Sequence, residues 1–377
     1  MKKINVLICD DSALMRRSLK KIIESDPDLS VIAIARDGED AVNKARELKP
    51  DVVTMDVNMP GMDGITALQI IVNEKIAPVL MVSALTQKGA VDTFEAMELG
   101  AFDYVSKPGG TISLEMGTVA HEIVSKIKAS VKPGTTRKLS RRISAVGSSL
   151  RLEPTKRLES AKRLKRRIEK AKNREITTET SSDTGPGFKA VAIGISTGGP
   201  RTLFDVLPFL PADLPAAVFL VQHMPAPFIS PYAKRLDSNC PMRCVEVEAG
   251  MTVEPGTIYL ARGGYHMIPY SRLTGKIQIR TPKKPEHLFM PSVDIMMEGV
   301  LQVFGADTVG VLMTGMGRDG AEAMVKIVQA GGITIAESEE SAIVFGMPAE
   351  AIEMGGANII APSWDIAKEI IKAVNRH

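Results

Sequence analysis

At 377 residues, with 44% hydrophobic and 24% charged side chains, the chain is too long for one core and too apolar for a disordered segment, so two globular domains are expected. No apolar run approaches the roughly 18 residues of a membrane span, and no long apolar stretch follows the two N-terminal lysines. A cytoplasmic protein without membrane insertion is expected. The net charge of +3 conceals an asymmetry: residues 132–185 hold 16 Lys/Arg against 6 Asp/Glu, so two mildly acidic regions flank a basic one.

Residues 3–9 form an apolar run that ends in Asp10-Asp11, and a helix pattern follows from Ser12 to Glu24. Val31–Ala35 reads as a strand, Gly38–Leu48 as a helix, and Val52–Met55, Pro78–Val82 and Ala101–Val105 as three more strands before a last helix from about Ser113 to Ala129. Five short apolar strands alternating with helices predict a parallel sheet covered on both faces. In such a sheet, function gathers at the carboxyl ends of the strands. Asp10 and Asp11 follow the first strand, Asp56 ends the third with Asn58 two residues on, Ser83 ends the fourth, and Lys107 follows the fifth.

Three carboxylates at one edge repel each other unless a cation joins them, and hard oxygen ligands with open positions suit Mg²⁺. With a metal beside it, Asp56 can act as the nucleophile toward a phosphoryl group, Lys107 offers a point charge to a phosphate oxygen, and Ser83 a hydroxyl donor. Any one of these aspartates is equally well read as a helix N-cap. The full set, Asp10-Asp11, Asp56 within Met55–Gly64, Ser83-Ala84 and Lys107-Pro108, resembles the receiver domain of two-component response regulators over residues 3–128. That resemblance implies phosphorylation of Asp56 by a histidine kinase. It implies Mg²⁺ held by Asp10 or Asp11, Asp56 and the backbone carbonyl of Asn58, and it makes Tyr104 the aromatic switch position.

Residues 131–187 lose the alternation. Pro133–Thr136 opens the stretch and Ser181–Gly187 closes it, both flexible in composition. Leu158, Ala161, Leu164, Ile168 and Ala171 form a narrow apolar stripe with a Glu159/Arg163 pair, so the segment reads as a basic linker with an exposed helix. Its basic run reads as a solvated spacer or as a segment that touches nucleic acid, an acidic membrane or an acidic partner.

From Lys189 the alternation resumes. Strand patterns lie at Ala190–Ile195, Ala217–Gln222, Thr257–Ala261, Thr308–Met313, Ile333–Ala336 and Asn358–Ala361. Helix patterns lie at Thr202–Leu207, Ser292–Phe304, Gly320–Ala330 and Asp365–Asn375. The expected fold class is therefore α/β: a flavodoxin-like five-stranded domain over 1–130, a linker over 131–187 and a Rossmann-like doubly wound domain over 188–377. The cysteines, Cys9, Cys240 and Cys244, lack companions for a metal site and read as small apolar residues in a reducing compartment.

Gly194-Ile195-Ser196-Thr197-Gly198 follows an apolar strand and satisfies the Gly-x-Ser-x-Gly pattern of a sharp turn that exposes a serine and aims backbone N–H groups at an oxyanion. A structural glycine turn is the competing reading; a Walker A loop and a dinucleotide fingerprint are excluded by spacing. A nucleophilic serine needs a base. His223 follows the strand Ala217–Gln222 at the same sheet edge, with His266 as the second choice. Asp319, between a strand and a helix in Leu312–Gly320, is either an N-cap or the carboxylate that orients the base.

Gly194–Pro200, Val221–Met224, Gly263–His266, Pro291–Asp294 and Leu312–Gly320 together resemble the catalytic domain of the CheB family of chemotaxis methylesterases over residues 188–376. The resemblance implies a triad of Ser196, His223 and Asp319, a backbone oxyanion contribution near Met316, and a structural or substrate-facing Asp294. It implies hydrolysis of glutamyl methyl esters and deamidation of glutamines on methyl-accepting chemotaxis receptors. The chemotaxis histidine kinase CheA is then the phosphodonor, and the esterase chemistry uses no cofactor. The resemblance further implies that the unphosphorylated receiver covers the catalytic face. No nucleic-acid partner is expected, because a transcriptional output needs a compact basic reading head. Two departures stand out: Pro285–Met290, where family members often carry basic residues, and the length of the basic linker.

Overall fold

The computed structural model describes residues 3–84, 86–107, 113–131 and 187–376. The chain divides into two compact units, Met1–Arg151 and Leu152–His377. The linker and its apolar stripe lie outside the described residues. Among the described residues no helix is long and apolar enough to cross a membrane.

The first unit runs β1 (Ile4–Cys9), α1 (Ala13–Glu24), β2 (Leu29–Ala35), α2 (Gly38–Leu48), β3 (Val52–Asp56), α3 (Gly64–Asn73), β4 (Val79–Ser83), α4 (Gln87–Glu98), β5 (Asp103–Ser106) and α5 (Ser113–Ser130). Its five strands form one parallel sheet in the order β2-β1-β3-β4-β5. β3 and β4 are buried at every position, as continuous apolar strands covered on both faces must be. The turns that leave the strands end in side-chain caps: Ser12 accepts from the Met15 N–H, Asp37 from Asp40, Asp63 from Thr66 and Thr86 from Gly89. Each cap satisfies a donor that the first helical turn leaves open.

The second unit runs β6 (Lys189–Ile195), α6 (Gly199–Thr202), β7 (Ala216–Gln222), α7 (Ala226–Asn239), β8 (Arg243–Glu246), β9 (Thr257–Leu260), β10 (Ile268–Ser271), β11 (Ile277–Arg280), α8 (Val293–Phe304), β12 (Thr308–Leu312), α9 (Ala321–Gln329), β13 (Ile333–Glu337), α10 (Met347–Glu353), β14 (Ile359–Ala361) and α11 (Ser363–Val374). Seven strands form a parallel sheet in the order β14-β13-β12-β6-β7-β9-β8, and β10 and β11 make a separate antiparallel hairpin. The sequence pattern predicts six of these nine strands. β8 (RCVE) and the hairpin strands (IPYS and IQIR) are partly exposed and interrupted by polar or charged residues, so they do not stand out as apolar runs. The expected helix Thr202–Leu207 is instead the single turn of α6 followed by two 3₁₀ turns, Leu203–Asp205 and Leu207–Phe209, interrupted at Val206 ahead of Pro208.

The order of the strands reverses at β6: β7 lies on one side and β12 on the other. Chain ends leaving neighbouring strands there diverge to opposite faces and open a crevice at their carboxyl ends. α8 packs across the sheet beneath that crevice, burying Val293, Met296, Met297, Val300 and Phe304 against Ala190, Ala192, Phe219 and Tyr259. Five such side chains contribute roughly 10 kcal/mol of apolar burial. Gly194 sets how closely α8 approaches, since a Cβ there would lie 2.2 Å from Val293 Cγ1. The glycine therefore brings the N-terminus of α8 onto the end of β6.

Candidate active site

In the first unit, Asp10, Asp11 and Asp56 each present a carboxylate oxygen, and the three oxygens lie within 4.8 Å of one another. Asp10 and Asp56 are buried and Asp11 is exposed. Lys107 Nζ donates to Asp56 Oδ2 at 2.7 Å and lies 3.0 Å from Asp10 Oδ2, an ion pair without hydrogen-bond geometry. Burial raises the Asp56 carboxyl above its ordinary value, and the Lys107 ammonium only partly offsets this. Ser83 sits buried at the end of β4 with its Oγ donating to the Gly89 carbonyl at 3.2 Å. Asn58 is exposed two residues beyond β3. Tyr104 is buried in β5, its carbonyl accepts from Lys126 Nζ at 2.6 Å, and the same ammonium lies 5.2 Å from its ring centroid.

In the second unit, the parallel register pairs Ile195 of β6 with Gln222 of β7. The next residues on each strand are Ser196 and His223, and the His223 N–H donates to the Ile195 carbonyl at 3.1 Å, continuing the ladder. Nucleophile and imidazole candidates therefore leave adjacent strands side by side, at the spacing of one ladder rung. On the other flank of β6, Met313 N–H donates to the Gly194 carbonyl and Ser196 N–H to that of Thr314, which ties the loop after β12 to the serine. Gly315 in that loop has no room for a side chain: a Cβ would lie 2.2 Å from Met347 Sδ and 2.8 Å from Ser196 Cβ. Among the described residues nothing accepts from the Met316 N–H one residue further on.

Asp319 closes the loop. Its Oδ2 receives His223 Nε2 at 2.9 Å and the Val293 N–H at 2.7 Å; its Oδ1 receives Ser292 Oγ at 2.8 Å and the Asp294 N–H at 3.1 Å. The carboxylate thus sits on the open N–H groups at the start of α8, where the helix dipole favours negative charge. Burial alone would raise its pKa, but the His223 ring and these N–H donors prevail and hold it at about 2, against an ordinary 3.8. A carboxylate acceptor at Nε2 assigns the proton of neutral His223 to that nitrogen. Nδ1 is left as the lone-pair nitrogen, buried and without a hydrogen-bond partner.

The second histidine candidate is placed differently. His266 is fully buried, and both its nitrogens are engaged: Nε2 with the Pro285 carbonyl at 2.9 Å and Nδ1 with the Ser292 N–H at 3.2 Å. Asp294 accepts from the Ala323 N–H at 2.8 Å, capping α9, and burial raises its carboxyl. Three residues that sequence reasoning passed over also meet here. Gln222 Nε2 donates to the carbonyls of both Ser196 and His223 at 3.0 Å. Ser292 is at once the N-cap of α8 and a donor to Asp319, a role its place before an apolar helix pattern hints at. Phe289 stacks on His223, and no sequence signal marks it. The three cysteines are buried and none is in a disulfide among the described residues, and burial pushes the Cys9 thiol up.

Residues 191–370 match the CheB methylesterase family and residues 6–115 the response regulator receiver domain. The protein-glutamate methylesterase/protein-glutamine glutaminase 3 of Syntrophomonas wolfei is 56% identical over 375 residues, spanning 99% of this chain and 100% of that one. The corresponding protein of Pyrococcus horikoshii is 44% identical over 374 residues, 99% of this chain and 94% of that one. Among solved structures, the Thermotoga maritima CheB methylesterase catalytic domain aligns at 38% identity over 49% of this chain and 98% of its own, with a TM-score of 0.48. The response regulator domain of Thermotoga maritima CheB aligns at 50% identity over 34% of this chain and 97% of its own, with a TM-score of 0.32. With identity of this extent along nearly its whole length, the chain belongs to the family of receiver-linked CheB methylesterases, the protein-glutamate methylesterases/protein-glutamine glutaminases.

Proposed function

We propose that this enzyme of chemotaxis receptor adaptation hydrolyses receptor glutamyl methyl esters, and deamidates receptor glutamines, through Ser196, His223 and Asp319. The observation that carries the reading is the Nε2–Asp319 bond of 2.9 Å, which leaves His223 Nδ1 without a partner while the strand register sets His223 and Ser196 next to each other beyond the ends of β7 and β6. In the forward step Ser196 Oγ attacks the ester carbonyl carbon while its proton passes to Nδ1. The tetrahedral oxyanion is met by backbone N–H groups, with the Met316 N–H as the candidate donor. Collapse breaks the C–O bond, and Nδ1 returns the proton to the leaving methanol. Water then repeats the sequence on the acyl-enzyme and frees the glutamate. A glutamine follows the same route with ammonia as leaving group. Asp319 holds the tautomer throughout and stabilises the imidazolium formed midway.

Asp56 is the proposed phosphorylation site, with CheA as the donor kinase. Asp10, Asp11, Asp56 and the Asn58 carbonyl would hold Mg²⁺. The fit is chemical: the side-chain donors are all hard oxygens, and the buried Asp10 Oδ2 has no hydrogen-bond donor of its own. The ion, when bound, supplies the charge neutralisation a phosphoryl group needs. Lys107 then contacts a phosphate oxygen and Ser83 another, and Tyr104 is the aromatic side chain that answers. Phosphorylation raises the activity of the second unit by shifting an existing equilibrium.

The test is methanol release from methylated receptor, with and without a small phosphodonor and Mg²⁺, in the wild type and in Ser196→Ala. The substitution is expected to abolish methanol release and to leave phosphorylation of the first unit intact. Undiminished turnover in Ser196→Ala rejects the assignment of the nucleophile.

A further inference from the structure

The loop between β11 and α8 carries Phe289 and lays its ring on that of His223, with centroids 4.3 Å apart and planes 9° from parallel. The edge of the imidazole is held by Asp319. A single edge contact leaves a ring free to pivot about the hydrogen bond, whereas an edge contact together with a face contact defines its plane. We infer that Phe289 is a positioning residue for His223. It keeps Nδ1 turned to Ser196 while Nε2 stays on Asp319, and its π face stabilises the charge the ring gains with the serine proton. The inference rests on the reading of His223 as the base.

The loop is itself fastened, so the stack is not a chance contact of a loose segment. His266 bridges its two ends, from the Pro285 carbonyl to the Ser292 N–H. The Gly264 N–H donates to the Met290 carbonyl at 2.9 Å, and the His266 N–H to that of Pro282 at 2.8 Å. The Tyr265 ring receives Arg262 at 5.2 Å and Lys283 at 5.0 Å, adding cation–π contacts across the base of the loop. The Gly-Gly-Tyr-His motif thus serves as a clasp. One clasped loop delivers Phe289 to the face of the imidazole and Ser292 to the carboxylate that holds its edge.

Phe289 is only partly buried, so its substitution spares the core. The experiment compares Phe289→Leu, Phe289→Ala and Phe289→Tyr in the full chain with two readouts. The first is the rate of Ser196 phosphonylation by a small alkyl fluorophosphonate: the Oγ–P bond forms, the P–F bond breaks, fluoride leaves and His223 takes the proton. It requires nucleophile and base but no receptor docking. The second is kcat and KM for methanol release. The Leu and Ala variants are expected to phosphonylate about tenfold more slowly. Their kcat should fall with KM unchanged, and Tyr should restore both. An unchanged phosphonylation rate, a loss confined to KM, or an equal loss in Phe289→Tyr overturns the inference. A wild type that resists the reagent, or a Ser196→Ala variant labelled as fast as wild type, overturns instead the underlying assignment of nucleophile and base.

Discussion

Replacing Asp319 by Asn keeps the size of the side chain and removes its charge. The carboxylate receives two donors on each oxygen: Ser292 Oγ and the Asp294 N–H on one, His223 Nε2 and the Val293 N–H on the other. An amide accepts on one side only. Whichever way it faces, a backbone N–H meets an NH₂ group, at a cost of about 1–3 kcal/mol. The titration leads to a similar figure, since a carboxyl held at about 2 and not at 3.8 contributes about 2–3 kcal/mol of stability at neutral pH. The folded-state pKa is depressed, so this contribution is present in full above the unfolded value. It falls to about half by pH 3 and vanishes below the folded value. Urea unfolding of the full chain followed by Trp364, the single tryptophan, reads the second unit. Asp319→Asn is expected to be less stable by about 2–3 kcal/mol at pH 7, with the gap shrinking toward pH 3. Its kcat for methanol release should fall about 10³–10⁴-fold. A loss of less than about tenfold, or a stability gap independent of pH, would refute the reasoning.

Two further substitutions probe the support around each site. In Gly315→Ala the new methyl must displace Met347 or Ser196, so a destabilisation of about 1–3 kcal/mol with a lowered kcat is expected. Thermal melts and methanol release check it, and wild-type values in both would show that the loop gives way. In the first unit, Lys126 Nζ lies 2.8 Å from Glu122, 3.1 Å from Asp103 and 2.6 Å from the Tyr104 carbonyl. Burial lowers its pKa, but these carboxylates outweigh burial and hold it above the ordinary lysine value. Lys126→Met strands the buried Asp103 carboxylate and should cost about 3–5 kcal/mol, much of it recovered in Lys126→Met/Asp103→Asn. Amide hydrogen exchange of residues 3–131 measures both, and equal protection in the single and double variants would count against a buried ion pair.

The alternation of apolar strands with helices was legible along the chain because strands buried on both faces must be continuously apolar, whatever their neighbours. The positions of Ser196 and His223 at strand ends followed from the same pattern. α7 was not legible: Pro227 suits a first turn, but Pro231 inside the helix argues against it, and only the burial of Phe228, Ile229, Tyr232, Ala233 and Leu236 makes it worth forming. Position in the sequence ranks His223, directly after a strand, above His266, which follows Gly263-Gly264-Tyr265, without excluding the second. Strand register separates them, bringing His223 beside Ser196, whereas loop closure takes up both nitrogens of His266. Neither Phe289 nor the cradle of N–H groups around Asp319 leaves a trace in local pattern. Periodicity records which face of an element is buried, and contacts between segments tens of residues apart depend on where the folded sheet and its loops bring them together.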